Sequence, residues 1–370
     1  MITFLNEVAV LAYSEYKNSE SIHLLKELCL LNGVSGDEDE VRNYIYNYIK
    51  SYVDDVKIDK SGNIIAIKKA FHPKGTNKSL KVMLSAHMDE VGFIISGFTQ
   101  NGGLKFKPIG GIDERILPAK RVIIGPDKIS GVIASKPFHL KTKEERERTP
   151  KFKDLYIDAG FDSREEAEKF VSPGDYAGFD SDFAFFGESR IKAKALDDRV
   201  GCVSIMQMLK IRYSFDLYGC FTVQEEVGLR GSQTAAYQVA PDIAIVLEGT
   251  TCSDVPGVNE ADFSTKMGKG PAVTIMDKTC CYDRHLTEFI YETALANNIP
   301  VQYKQTTTGG NDAGKIQGQK YGCKVAAISL PCRYIHSPVS VMDINDFDAY
   351  MMLVQKVLER LSVEKEMNVL

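Results

Sequence analysis

The chain has 370 residues, of which 44% are hydrophobic and 26% charged, with a net charge of −5. That length allows one large domain or two, and that composition supports a sizeable core. Lys and Arg are scattered among Asp and Glu, which argues against a nucleic-acid or anionic-membrane surface. No apolar run approaches the roughly 20 residues of a membrane span, and the first residues, Met1-Ile2-Thr3-Phe4-Leu5-Asn6-Glu7-Val8, lack the basic region of a signal peptide. Eight cysteines occur without a CxxC pair, mostly inside apolar runs. That is the pattern of reduced, buried thiols in a cytoplasmic protein, not of a thiolate zinc site.

Residues 1–20 read as an extension with no legible role. Apolar spacing predicts a helix over 21–31, with Gly33 as its stop, and a second over 38–53, capped by Asp37. The second helix places Val41, Tyr44, Ile45, Tyr48 and Ile49 on one face. Short strands follow at 56–58 and 64–68, then a turn-rich stretch at 72–77. Residues 80–85 form a buried-strand run that leads into Ala86-His87-Met88-Asp89-Glu90.

Beyond Glu90 the texture changes. Short β-like runs at 92–97, 104–109, 121–124 and 129–133 lie between Gly and Pro, and the first helical pattern there is at 163–170. This predicts a small β-rich module over 93–182, inserted between two parts of a larger domain at 1–92 and 183–370. The densely charged stretch 141–148 reads as a solvated, mobile loop. After 192, helices are expected over 197–212, 229–239, 284–296 and 344–361, with strands at 217–223, 243–247, 272–276, 301–304 and 325–330. The alternation predicts an α/β fold, a mixed and mostly parallel sheet covered by helices on both faces.

Five motifs sit at the ends of these elements. His87 follows a buried strand, and Asp89 shares its face two residues on, so the carboxylate can orient the imidazole. Alone, a His at a strand end is most often structural. Ala195-Leu196-Asp197-Asp198-Arg199-Val200-Gly201 opens a helix, where an Asp is often only a cap. Val223-Gln224-Glu225-Glu226-Val227-Gly228 and Leu247-Glu248-Gly249 each follow an apolar strand, as does Arg333-Tyr334-Ile335-His336-Ser337-Pro338. In open α/β sheets, chemistry gathers where strands end at their carboxyl side. Mixed His and carboxylate ligands without thiolate suit zinc, cobalt or manganese. Two His with three carboxylates suit two metals bridged by one carboxylate, and such a pair activates water and polarises a carbonyl. A further carboxylate then takes the proton. Glu225 and Glu226 can divide the ligand and base roles, and spacing alone does not say which is which. The other histidines, His23, His72, His139 and His285, have weaker settings.

Together the motifs at 86–90, 195–201, 223–228, 247–249 and 333–338 resemble the M42 metallo-aminopeptidases, the glutamyl and tetrahedral aminopeptidase group. Further support comes from His139-Leu140 with Glu144-Glu145-Arg146, from Asp154-Leu155-Tyr156-Ile157-Asp158-Ala159-Gly160, and from Thr308-Gly309-Gly310-Asn311-Asp312-Ala313-Gly314. The resemblance runs from about residue 22 to the C-terminus. It implies that His87, Asp197 and Glu248 bind one metal ion and that Asp197, Glu226 and His336 bind the other. Glu225 would be the general base and Asp89 the group that orients His87. The ions would be zinc or cobalt, two per subunit. The module at 93–182 would be PDZ-like and would drive self-association, from dimer to dodecamer. The implied reaction is hydrolysis of the N-terminal bond of short peptides by a metal-bridging hydroxide. Glu248 stands where many members carry Asp, and the N-terminal extension is longer than usual. An endoglucanase-like glycoside hydrolase using paired carboxylates is the alternative enzyme, though the chain has no Trp for sugar platforms. A scaffold descended from a peptidase is the non-catalytic alternative, but every expected position is filled.

Overall fold

The computed structural model describes residues 19–71 and 79–363. The extension before residue 19, and the turn-rich stretch that includes His72, lie outside the described residues. The chain opens with α1 (Glu20–Leu30) and α2 (Asp39–Ile49), then strands β1 (Asp55–Ile58), β2 (Ile64–Lys68) and β3 (Lys81–His87). Glu38, not Asp37, directly precedes α2, and among the described residues no side chain caps that helix. The Glu38 carboxylate is engaged elsewhere, accepting from the backbone N–H of Gly36 (2.8 Å) and of Gln224 (3.2 Å).

A separate unit follows at once. Strands β4 (Gly92–Phe98), β5 (Leu104–Ile109), β6 (Arg121–Ile124), β7 (Ile129–Ser135), β8 (Leu155–Asp158) and β9 (Tyr176–Phe179) close into a barrel in the order β4-β5-β8-β7-β6-β9. Its inward residues form their own apolar cluster. In it, Phe93 meets Phe106 and Phe179 edge to face at 5.0 and 5.2 Å. The charged stretch expected as a loop contains a short helix, α3 (Lys143–Glu147). Thr142 and Glu145 close a reciprocal capping box at its start, which local charge density does not reveal. The helix expected over 163–170 is only α4 (Arg164–Ala167).

The chain then returns to the larger domain with β10 (Ala184–Phe186), β11 (Arg190–Ala193), α5 (Leu196–Met208), β12 (Asp216–Thr222), α6 (Arg230–Val239), β13 (Ile243–Thr251), β14 (Ala272–Val273), α7 (Arg284–Ala296), β15 (Gln302–Tyr303), α8 (Ala313–Ile316), β16 (Lys324–Cys332), β17 (Ser340–Asp343) and α9 (Ile344–Val363). The main sheet has the order β1-β2-β12-β3-β13-β16-β14-β15. Its central strands β12, β3, β13 and β16 run parallel to one another, while β2 and β14 join them antiparallel. Side chains alternate between the two faces, as a two-residue period requires. Val82, Leu84 and Ala86 of β3, with Ile243, Ile245 and Leu247 of β13, pack under α1, α2, α5, α7 and α9. Met83, Ala244 and Val246 pack on the opposite face under α6 and α8. No helix among the described residues is long and apolar enough to cross a membrane.

Beneath the end of β3 lies a buried charge cluster. Glu90, Lys194 and Arg199 are 3%, 3% and 0% exposed. The Glu90 carboxylate accepts from Lys194 and from the Gly33 N–H (3.1 Å), with the Arg199 guanidinium 3.5 Å away. Arg199 also donates to the Met88 carbonyl, and Lys194 to that of Leu31. The cluster ties α1, the end of β3 and α5 together. Glu90→Ala leaves two buried cations without their anion, and should lower unfolding free energy by about 3–5 kcal/mol in a urea titration. A loss below about 1 kcal/mol would show that the cluster holds the fold no better than a surface ion pair.

Candidate active site

Four central strands end on one edge of the sheet, and each delivers a site residue there. His87 closes β3, opposite Thr222 at the end of β12. Glu225 and Glu226 stand in the turn just after β12, and Glu248 lies in β13 opposite Ser329 of β16. His336 follows β16, and Asp197 stands in the non-helical first turn of α5. These six side chains line one cavity of about 710 Å³. The weaker candidates His23, His139 and His285 belong to none of the ligand groups described below.

His87 is 1% exposed. Its Nδ1 lies 3.0 Å from the Asp89 backbone carbonyl and 3.4 Å from the Asp89 carboxylate. A carbonyl only accepts, so Nδ1 carries the proton and Nε2 faces the cavity. Nε2 is 3.5 Å from Asp197 Oδ1 and 3.8 Å from Glu248 Oε1. His336 repeats the arrangement. Its Nδ1 donates to the Gly111 carbonyl (2.9 Å), which comes from the connection after β5, and its Nε2 is 3.2 Å from Glu226 Oε1.

Asp89 is fully buried below the cavity and holds more than the imidazole. It accepts from the Ser35 hydroxyl (2.5 Å), the Glu225 N–H (3.0 Å) and the Glu226 N–H (3.1 Å). Burial alone would raise its pKa, but the hydrogen bonds from His87, Ser35 and the Glu225 amide hold it below the usual carboxylate range. Asp198 turns away from the cavity and accepts from the backbone N–H groups of His87 (3.1 Å) and Gly201 (3.0 Å).

The cluster is rich in negative charge. Burial pushes the carboxyls of Glu225, Glu248 and Asp198 well above their ordinary range; Glu226 adds to this at Glu225, Asp198 at Glu248, and Asp197 at Asp198. Burial opposes protonation of His87, yet the neighbouring Asp197 and Asp89 raise its pKa well above the usual imidazole value. His336 rises to about 9, since its bond to Glu226 outweighs burial. Among the described residues, Asp197 Oδ1 and Glu248 Oε2 are buried without a hydrogen-bond partner. Buried polar atoms are rarely left so, and carboxylates crowded this closely call for a positive charge. Three overlapping groups have ligand atoms all within 4.8 Å of one another: His87 with Asp197 and Glu248, His87 with Glu225 and Glu226, and Asp197 with Glu226 and His336. The donor set therefore fits a divalent cation.

Sequence reasoning missed Ser35 and Gly111, which act through hydrogen bonds across 54 and 225 residues of chain. No local pattern marks either. Lys278 and Lys304 also line the cavity and carry no motif. Thr308, Gly309, Gly310 and Asn311 form part of the wall.

The model of the M42 glutamyl aminopeptidase family matches residues 62–353. The chain is 32% identical over 347 residues to the lysyl aminopeptidase of Pyrococcus furiosus, covering 91% of this chain and 96% of that protein. The solved structure of the aminopeptidase APDkam598 from the archaeon Desulfurococcus kamchatkensis superposes with a TM-score of 0.87 at 37% identity, covering 95% of this chain and 99% of that one. The Pyrococcus horikoshii TET1 peptidase, which can assemble into a tetrahedron or a large octahedral shell, gives 0.82 at 32% identity over 92% of this chain and 99% of its own. Fold and site thus define an aminopeptidase, a hydrolase acting on N-terminal peptide bonds. The chain belongs to the M42 glutamyl aminopeptidase family.

The raised pKa values predict a pH dependence for chelator-treated protein. Folded Glu225, Glu248, Asp198 and His87 keep protons that the unfolded chain releases from about pH 4.5 upward. The folded state then binds more protons, so stability falls as pH rises. The melting temperature should decline between about pH 5 and 8, and Glu248→Gln should flatten the decline. A melting temperature that rises across this window would contradict the proposed crowding.

Proposed function

We propose that this chain is a two-metal aminopeptidase that removes the first residue of short peptides. His87, Asp197 and Glu248 would hold one divalent ion, and Asp197, Glu226 and His336 the other, with Asp197 shared. Zinc and cobalt both suit these donors. The observation that carries the reading is the overlap of ligand groups through Asp197, whose buried Oδ1 has no hydrogen-bond partner among the described residues. Bound there, the ions would supply an acidified water and a Lewis acid for the peptide carbonyl. The residues of the chain do the rest. Asp89 fixes the backbone of Glu225 and Glu226 against His87. Glu225, 8% exposed on the cavity wall, takes the proton of the attacking water and returns it to the leaving amine. His87 and His336 keep Nε2 facing the centre because a backbone carbonyl accepts from each Nδ1.

The barrel module at 93–182 is proposed as a PDZ-like self-association domain, in an assembly between dimer and dodecamer; the assembly of the Pyrococcus horikoshii relative supports this. Eight free cysteines suit a reducing, cytoplasmic setting. The make-up of the cavity speaks against the glycoside hydrolase. The carboxylates converge on two histidines, and among the described residues no Phe, Tyr or Trp lines the cavity.

The test is a panel of aminoacyl p-nitroanilides, given to one stock split into chelated and zinc- or cobalt-loaded halves. Turnover should appear only with metal and only on substrates with a free α-amine. Glu225→Gln should retain two ions per subunit by elemental analysis while kcat falls about 10²–10⁴-fold. His87→Ala should instead lose metal. Near wild-type turnover in Glu225→Gln would remove the base assignment, and full activity in the chelated half would remove the metals.

A further inference from the structure

One side chain on the cavity wall is held from behind and open in front. Asn311 is 7% exposed and lines the cavity. Its Oδ1 accepts from the Ala313 N–H (3.0 Å), and the Tyr282 hydroxyl, shared with the Asp277 carboxylate (2.5 Å), is 3.1 Å from the same oxygen. A backbone N–H only donates, so the atom facing Ala313 is the oxygen, and the amide has one orientation. Nδ2 is then the outward end. Among the described residues it donates to nothing, yet it is not sealed in the interior, so its two N–H bonds open on the cavity. A side chain this buried rarely leaves its donors unused.

The neighbouring residues fix where that amide stands. Asp312 accepts from Thr222 Oγ1 (2.7 Å) and from Ser85 Oγ (3.3 Å), and Thr222 is the register partner of His87. Ala313 and Ile316 of α8 belong to the same apolar cluster as Met83, Val246 and Ala327. Residues two apart on a strand share a face, so Ser85 and His87 of β3, Glu248 of β13 and Ser329 of β16 project on the side that α8 covers. His87 lies one such step, about 7 Å, beyond Ser85. Asp312 meets Ser85, and Asn311 directly before it lines the cavity, so the amide stands at the His87 and Glu248 end of the site. Thr279 packs against both Gly310 and Gly314, where a Cβ would lie 2.3 Å from Thr279 Cγ2 and 2.5 Å from Thr279 Cβ, and so keeps the segment in place.

A pair of N–H bonds aimed into the cavity selects its partner by chemistry. It faces an α-ammonium group or any other cation with the wrong sign, and an apolar side chain would leave it unpaired. The acceptor that every peptide brings is a carbonyl oxygen. We propose that Asn311 Nδ2 donates to a carbonyl oxygen of the bound peptide. The oxygen is either that of the scissile bond, where the donor would oppose the negative charge that builds as water attacks, or that of the next peptide bond. The assignment rests on the aminopeptidase reading and deepens it by naming a substrate-binding group beyond the ligands and the base.

The test uses full-length, metal-loaded enzyme and two substrates with the same first residue: the aminoacyl p-nitroanilide cut fastest, and the tripeptide in which that residue precedes Gly-Gly. The anilide has only the scissile carbonyl, and the tripeptide adds a second peptide carbonyl. Asn311→Asp keeps the oxygen that accepts from Ala313 and removes the donor, while Asn311→Ala removes both. Both variants should keep the wild-type metal content by elemental analysis. If the donor serves the scissile carbonyl, kcat falls about 10²-fold on both substrates with KM little changed. If it serves the next carbonyl, the anilide is cut as by wild type and KM for the tripeptide rises about tenfold. Changes below about twofold on both substrates, a loss confined to Asn311→Ala, or a loss that tracks missing metal would overturn the assignment. The two readings fail separately. If wild-type enzyme cuts both substrates and the variants match it, only the role of Asn311 fails; if wild-type enzyme cuts no free-amine substrate, the aminopeptidase reading fails and this assignment with it.

Discussion

The site hangs on one buried carboxylate. Asp89 is 0% exposed, and burying a lone carboxylate is among the costlier things a fold can do. It is tolerated because donors from three segments converge on it: Ser35 from the link between the first two helices, His87 from the end of β3 two residues before it, and the amides of Glu225 and Glu226 from the turn after β12. The result is a rigid relation between two adjacent strands that their ladder alone would not extend past Thr222. Orienting His87 is the smaller part of its work. The nearer acceptor for the imidazole is Asp89's own backbone carbonyl, which frees the carboxylate to hold the turn.

The sheet supplies the other constraint. Because β12, β3, β13 and β16 are parallel neighbours, their carboxyl ends meet on one edge, and residues far apart in sequence become neighbours without any loop having to reach. The barrel is more than an appendage to this edge. It is entered directly from Glu90 and Val91, and Gly111 returns from it to fix the ring of His336. Gly92 marks how closely the two units approach, since a Cβ there would lie 2.4 Å from Val34 Cγ2.

Most of the larger domain was legible because its elements are long and strongly patterned. The continuous apolar runs of β3, β12, β13 and β16 announce buried strands, and four of the five chemical motifs fall toward the end of one, while that of Asp197 opens α5. The clustering of His87, Asp197, Glu225, Glu226, Glu248 and His336 follows from that placement. Short elements were less legible. The helix at Lys143–Glu147 depends on a capping box in a stretch whose charge density suggests a loop. The strands Ala184–Phe186, Arg190–Ala193 and Ser340–Asp343 form a small sheet of their own, and they are stable only as partners. Ser35, Gly111 and the two cavity lysines carry no local signature at all. Their meaning arises only when distant segments are brought together.

One consequence concerns the order in which the molecule is made. The hydrogen bond between Gly111 and His336 closes 225 residues of chain, and the Asp198 bond to the His87 N–H closes 111. Contacts of such sequence separation close long loops, which carry the larger entropic cost. The group of His87, Asp197 and Glu248 draws only on the first 248 residues, whereas that of Asp197, Glu226 and His336 needs a residue 88 positions further on. The full set of six cavity residues therefore exists only in a chain that extends past β16 to residue 336, where the Gly111 carbonyl of the barrel module receives the last imidazole.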